Sequence, residues 1–213
     1  MKESYMELYT NPMSQNCRKV LMTAEFLGIP LKHVTVDLVV GEQCKPDFLE
    51  INPNGKVPVL ADGSLKLWES NAIMQYLAGT RPGNTLWPAS ESIRADIARW
   101  QFWEAAHWFP ACMTFMWENM AKGWLKLGAP DLQILEQAAV RFEPVVNVLE
   151  RHLENRQYLV GSSVTLADIS VGSHLTYADP AKLPIQDKTN IRRWLERLEG
   201  TDMWQKTAPP MAA

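Results

Sequence analysis

The chain has 213 residues, 46% of them hydrophobic, which suits one large domain or two modest ones with separate cores. Lys and Arg total 21 against 24 Asp and Glu, so no strong net charge argues for a nucleic-acid or membrane-surface partner. The three cysteines, Cys17, Cys44 and Cys112, match neither a zinc spacing nor a disulfide framework. With no signal-peptide core and no apolar run long enough to span a bilayer, we expect a cytoplasmic protein that acts on a small molecule or a protein.

Residues 6–81 alternate strand patterns with helical ones. A strand is predicted at 6–9, a helix that ends at Gly28, a strand at 31–36 and a short helix at 42–50. A hairpin at 57–60 and 64–67, turned at Asp62-Gly63, and a helix at 69–79 complete a βαβαββα order. A β-α-β opening needs a parallel crossover, which predicts a mixed sheet with helices on its faces.

The turn after the first strand contains Ser14, Asn16 and Cys17 at the start of a helix. Backbone N–H groups at a helix start favour an anion, including a thiolate. Ser14 is either an ordinary helix cap or a hydroxyl donor to such an anion. Cys17 is either a small core residue or a thiol that exchanges with disulfides.

Pro58 stands where the third strand pattern begins, and it has no backbone N–H to donate. A cis bond at Val57-Pro58 would turn the backbone of Val57 outward, where it could pair with an extended, peptide-like ligand. Ser70 lies in the first turn of the next helix, where a carboxylate is favoured, and Glu69 beside it suits an ammonium. Carboxylate and ammonium together indicate the α-amino acid end of a ligand, although Glu-Ser is also an ordinary helix-capping pair.

These two segments, Asn52 to Leu60 and Trp68 to Ile73, resemble the glutathione-binding signature of the cytosolic glutathione transferases. The resemblance implies that Val57, with Pro58, binds the cysteinyl backbone of glutathione and that Glu69 and Ser70 bind its γ-glutamyl end. Asn11 to Ser14, with Arg18 to Val20, is similar to the active-site turn of serine-type members such as the theta and phi groups, which implies that Ser14 donates a hydrogen bond to the glutathione sulfur.

Other residues of this half stay open as alternatives. Asn16 matches a donor of some bacterial disulfide-reducing members of the family, although the two residues before it differ from their pattern. Tyr9 is near the position of the tyrosine in tyrosine-type members, but a strand residue more plausibly packs in the sheet. Gln43 and Lys56 are candidates for the glycyl carboxylate of glutathione, or are solvated surface side chains.

The domain organisation that follows is an α+β/α protein: a thioredoxin-like βαβαββα domain at 6–81, a linker at 82–90 and an all-helical domain at 91–206. The helical part should contain a long aromatic helix at 93–120, kinked by Pro110, and a helix with an apolar stripe from Leu135 to Leu153, bent at Pro144. Thr165 to Asp168 is a capping box. Side chains of the aromatic helix should wall a pocket for an apolar substrate between the domains, or fill the core: Trp103, Trp108, Met113, Met116 and Trp117.

By this resemblance the chain is a homodimeric glutathione transferase that ionises glutathione near Ser14 and adds its sulfur to a hydrophobic electrophile. The first alternative is a glutathione-dependent disulfide oxidoreductase or peroxidase of the same fold, based on Cys17 and Asn16. The second is a non-catalytic binding or assembly module. His107 has no second ligand at a metal spacing, and no metal cofactor is predicted.

Overall fold

The computed structural model describes residues 6–210, and these form two compact units. The described residues up to Pro88 and those from Thr201 onward make the first unit, and Ala89–Gly200 make the second. The last helix, Asp202–Lys206, packs on the first helix of the chain. The carboxyl end therefore returns to the first unit, whereas the sequence assigned residues up to 206 to the helical domain.

The first unit is a four-stranded sheet with helices. Its elements are β1 (Met6–Thr10), α1 (Gln15–Leu27), β2 (Leu31–Thr35), α2 (Pro46–Ile51), β3 (Val59–Asp62), β4 (Leu65–Trp68) and α3 (Ser70–Gly79). The strand order is β2-β1-β3-β4, with β1 and β2 parallel and the other pairs antiparallel. This is the predicted βαβαββα order and mixed sheet. Since β1 and β3 are central, α1 and the residues before β3 both lie at the middle of the sheet.

Two element boundaries differ from the prediction, and a proline explains each. The predicted helix at 42–50 divides into a 3-10 turn, Glu42–Cys44, and α2, because Lys45 is extended with ψ 148°. A residue that precedes proline, here Pro46, is biased away from helical geometry. β3 begins at Val59 instead of residue 57, because Pro58 has no N–H for the ladder.

The second unit is all helical. Its α-helices are α4 (Glu91–Trp103), α5 (Phe109–Met116), α6 (Lys122–Trp124), α7 (Leu132–His152), α8 (Leu166–Gly172) and α9 (Thr189–Glu199). The last helix of the chain, α10 (Asp202–Lys206), belongs to the first unit. The predicted single helix at 93–120 is interrupted by two π-helical turns, Glu104–Trp108 and Trp117–Ala121. The first ends two residues before Pro110, and its extra residue accommodates the carbonyl that proline cannot bond. α7 is continuous across Pro144.

Asp168, at the start of α8, is the centre of a hydrogen-bond network in the core of the helical unit. Its carboxylate is fully buried and accepts hydrogen bonds from the N–H and hydroxyl of Thr165, from the N–H of Leu159 and from the indole of Trp194. The predicted capping box is therefore present, and it also joins α8 to α9 and to the segment before it. Within residues 6–210, no helix has the length and apolar character needed to cross a membrane.

Candidate functional site

The turn between β1 and α1 presents Ser14 as the helix cap. Its Oγ accepts a hydrogen bond from the N–H of Cys17 at 3.3 Å, and its carbonyl accepts from the N–H of Arg18 at 2.9 Å. Asn11 anchors the turn, because its side-chain amide donates to the carbonyl of Val36 on the neighbouring chain segment at 2.9 Å. A serine hydroxyl has two lone pairs and one proton, so Ser14 can cap the helix and still donate to an anion.

Cys17 is turned away from the surface. It is fully buried, and its Sγ accepts from the N–H of Asn11 at 3.4 Å. Burial raises the pKa of the Cys17 thiol, and hydrogen bonds from Ser14, Thr10 and the Asn11 backbone offset this only in part. A buried thiol with a raised pKa holds little thiolate and is a poor nucleophile.

Glu69 and Ser70 form the start of α3. Glu69 has φ 70° and ψ 111°, a backbone region that a residue with a side chain seldom adopts. Such geometry costs on the order of 1–3 kcal/mol and is concentrated at functional sites. The Glu69 side chain is exposed, whereas Ser70 is 7% exposed.

Polar groups from α1 meet Ser70 at the same point. The Ser70 hydroxyl donates to Oδ1 of Asn16 at 3.4 Å and accepts from Nζ of Lys19 at 3.5 Å. Both contacts are longer than the range of roughly 2.7–3.2 Å that is usual for hydrogen bonds to oxygen. The two helix starts, α1 and α3, thus converge on one cluster of loosely bonded polar groups.

The segment before β3 leaves a backbone edge unpaired near these helix starts, because Val59 pairs with Tyr9 at the end of β1 and with Trp68 at the end of β4. The Val57–Pro58 peptide bond is cis, the geometry that the sequence analysis considered for this position. No described residue hydrogen-bonds to the backbone N–H or C=O of Val57. The turn in front of it is braced by Asn52, which is 2% exposed and donates from its amide to the carbonyl of Lys56 at 2.7 Å. Val57 can therefore pair with an extended ligand, as one strand pairs with another.

Gln43 and Lys56 are the remaining candidates in the first unit. Gly55 has φ 60°, and a Cβ there would lie 3.2 Å from the carbonyl oxygen of Gln43, so glycine allows this turn to pack against the 3-10 turn. The Oε1 atom of Gln43 is buried without a hydrogen-bond partner among the described residues. Lys56 is exposed, with an ammonium free to turn in solvent.

The aromatic residues predicted to wall a substrate pocket differ in exposure. Trp108 is fully buried, and its indole donates to the carbonyl of Val171 at 3.0 Å. Trp108 is therefore a core residue, the second of the two roles that the sequence left open, and Met116 at 8% exposure has little more surface to offer. Trp103 is partly exposed and stacks on Trp108. Met113 is also partly exposed, and Trp117 is 42% exposed.

Lys19 is the polar residue of this site that the sequence analysis missed. In the sequence it is an ordinary cation next to Arg18, but its side chain is 1% exposed. The sequence gives no signal for this burial, because Lys19 is the fifth residue of α1 and lies beyond the first turn, where the helix dipole acts.

The arrangement as a whole suits an anionic peptide-like ligand. A mixed four-stranded sheet presents a cis-proline edge and two converging helix starts, and a separate all-helical unit follows. These features define a two-domain protein with a thioredoxin-like binding unit. Among residues 6–210, no three His, Cys, Asp or Glu side chains come together in a group that could hold a metal ion.

Comparisons with known proteins identify the family. Residues 4–79 match the glutathione S-transferase N-terminal domain, and residues 133–197 match the C-terminal domain. Glutathione S-transferase 3 of Zea mays is 33% identical over 207 residues, which cover 95% of this chain and 92% of that protein. The chain belongs to the glutathione S-transferase family, whose members are transferases.

Solved structures agree with this assignment. The crystal structure of glutathione transferase F7 from Populus trichocarpa has a TM-score of 0.89 and 27% identity, and the match covers 98% of this chain and 100% of that one. The structure of glutathione S-transferase-I bound with lactoylglutathione has a TM-score of 0.85 and 27% identity, and the match covers 96% and 98% of the two chains. The likeness extends over both units.

Proposed function

We propose that this protein conjugates the thiolate of glutathione to a hydrophobic electrophile, with glutathione bound by the first unit. The cysteinyl backbone of glutathione pairs with Val57 beside Pro58, and its γ-glutamyl end binds at Glu69 and Ser70. The observation that carries the proposal is the 3.4 Å contact between Asn16 and Ser70, since it joins the turn that contains Ser14 to the α-amino acid site. One tripeptide can then reach both places.

Ser14 is the residue proposed to ionise the thiol. Its hydroxyl donates to the sulfur, and a hydrogen bond to a charged group contributes roughly 1.5–3 kcal/mol. That energy corresponds to a thiol pKa lowered by about one to two units. At neutral pH more of the bound glutathione is then the nucleophilic thiolate.

The rival candidates at this turn have less support. Asn16 already accepts from Ser70, so its side chain is directed to the γ-glutamyl subsite. Cys17 is fully buried and its pKa is raised, which disfavours the disulfide exchange on which the oxidoreductase alternative depends. The unpaired backbone of Val57 and the strained Glu69 favour a working binding site over a purely structural module.

The glycyl carboxylate and the electrophile have their own proposed partners. Gln43 and Lys56 bind the glycyl carboxylate, with Lys56 supplying the charge and Gln43 an amide donor. The partly exposed aromatic-helix residues Trp103, Met113 and Trp117 contact the electrophile, because they combine apolar surface with adaptable shape. Apolar surface that selects by shape is consistent with several hydrophobic substrates.

The proposal includes a homodimer in the cytoplasm. Each unit exposes large apolar side chains that a partner subunit would cover, such as Trp68 at 39% and Phe102 at 75%. Sedimentation velocity tests the dimer. A single species of about 24 kDa, the mass of one chain, at micromolar concentration would rule it out.

The decisive experiment follows thiolate absorbance in the ultraviolet while glutathione bound to the protein is titrated with base. The wild type should ionise glutathione at lower pH than free glutathione ionises. In Ser14→Ala the pKa of bound glutathione should rise by about one to two units while binding persists. Ser14→Thr, which keeps both the cap and the hydroxyl, should stay close to wild type. An unchanged bound-thiol pKa in Ser14→Ala would exclude Ser14 as the activating donor.

A further inference from the structure

Lys19 is a cation buried in the first unit, with its ammonium beside Ser70. It is one of the most deeply buried side chains of the protein, at 1% exposure, although lysine is rarely buried. Its ammonium lies 3.5 Å from the hydroxyl oxygen of Ser70. The ammonium is therefore directed at the start of α3, where the proposed carboxylate binds.

The neighbouring cation shows that this direction is specific. Arg18 is 4% exposed, but its guanidinium lies 4.2 Å from the ring centre of Trp204 and donates to the Trp204 carbonyl at 2.7 Å. Two adjacent buried cations therefore serve different partners. Arg18 binds α10, whereas Lys19 contacts the cluster at Ser70.

The chemistry of the Lys19–Ser70 contact follows from the atoms involved. An ammonium can only donate, so Lys19 must donate to the Ser70 oxygen, which leaves the Ser70 proton free to point elsewhere. That proton now points to Asn16 over 3.4 Å, a long contact that is readily exchanged. A hydroxyl that accepts from a cation becomes a stronger donor, because hydrogen bonds in a chain polarise one another. A carboxylate beside Ser70 would receive both this hydrogen bond and the attraction of a buried charge.

We propose that Lys19 is a positioning residue for the γ-glutamyl carboxylate of glutathione: its buried ammonium orients and polarises the Ser70 hydroxyl and balances the charge of the carboxylate. The inference rests on the proposed binding of glutathione at Ser70. It adds a residue that acts through Ser70 on one identified group of the ligand.

The test compares two ligands by calorimetry. One is glutathione, and the other is 4-aminobutyryl-cysteinyl-glycine, which lacks the α-carboxylate but keeps the amine at that end. Lys19→Met should weaken glutathione by about tenfold or more but should change the weaker binding of the analogue by less than about threefold. Methionine is chosen because its unbranched apolar chain adapts to buried sites. The matched control is Lys32→Met, which removes an exposed cation paired with Glu7 and should change neither affinity.

A second measurement uses the wild-type protein and so does not depend on the stability of the variant. The 15N resonance of the Lys19 ammonium should shift when glutathione is added and should stay in place when the analogue is added. Equal weakening of both ligands by Lys19→Met, or no shift of that resonance with glutathione, would overturn the role of Lys19. Failure of the wild type to bind glutathione at all would overturn the proposed function itself, and the inference with it.

Discussion

At the scale of one residue, the proposed binding role of Glu69 is opposed to stability, because its backbone is strained. Its φ of 70° is one of three positive values at residues other than glycine in the described chain, with Lys126 at 56° and Lys182 at 55°. The two lysines end helical turns, where a left-handed residue closes the helix. Glu69 instead begins a helix, where no such closure is needed. The strained backbone at Glu69 is therefore best explained by the direction it gives the carboxylate.

Glu69→Gly should separate these two effects. Glycine adopts this φ freely, which relieves the strain, but it also makes the unfolded chain more flexible. The free energy of unfolding should therefore rise by a net amount on the order of 0.5–1 kcal/mol, which raises the unfolding midpoint by about 1–4 °C. Glutathione affinity should fall roughly tenfold, because the ammonium loses its carboxylate. Lys126→Gly is the matched control: it should give a similar stabilisation with unchanged glutathione affinity. Calorimetry and thermal unfolding measure both, and undiminished glutathione affinity in Glu69→Gly would contradict the role of Glu69.

At the scale of elements, buried carboxylates hold the helical unit together through backbone N–H groups. Asp168 serves the start of α8, and Glu118 accepts from the N–H of Asp131 at 2.7 Å and from Lys122 at 2.5 Å. Glu118 thereby ties the π-helical turn Trp117–Ala121 to the start of α7. Each of these two carboxylates is a hydrogen-bonded polar group within a mostly apolar core.

Asp168→Ala should be among the most destabilising single changes in the chain. It leaves the N–H groups of Leu159 and Thr165 and the indole of Trp194 buried without a partner, at about 1–3 kcal/mol each. We expect a loss on the order of 3–5 kcal/mol in the free energy of unfolding, measured with urea. Asp131→Ala removes a cap of the same kind at the exposed start of α7 and should cost only about 1 kcal/mol. Equal losses for the two variants would show that burial of the Asp168 network is unimportant.

The lowered pKa of Glu118 predicts that the stability of the fold depends on pH. The N–H of Asp131 and then the ammonium of Lys122 lower the pKa of Glu118 below its usual value of 4.5. A carboxyl whose pKa is lower in the folded state stabilises the fold above its unfolded pKa, and that stabilisation is lost as the pH falls through the folded pKa. Urea unfolding at several pH values should therefore show Glu118→Gln less stable than wild type at pH 7, with a difference that shrinks below pH of about 4. A difference independent of pH would contradict this assignment.

At the scale of the whole molecule, the features that sequence could predict are local ones. The cis bond at Val57–Pro58, the capping box at Asp168 and the order of strands and helices each depend on residues close together in the chain. The burial of Lys19 and Trp108 depends on which way a helix faces and on its packing partners. The return of α10 to the first unit depends on contacts across most of the chain. Local propensity cannot specify such contacts, because tertiary packing decides them.

The return of α10 gives the last prediction. Trp204 is 9% exposed and covers the Arg18 guanidinium, one helical turn beyond Ser14. Trp204→Ala should lower the free energy of unfolding by about 3–5 kcal/mol and should weaken glutathione binding, because α1 loses the support that holds its first turn. Trp124→Ala, at a tryptophan that is 46% exposed, should cost less than about 1 kcal/mol and leave glutathione binding unchanged. Wild-type affinity and stability in Trp204→Ala would mean that the carboxyl-terminal helix lies on the first unit without supporting its site.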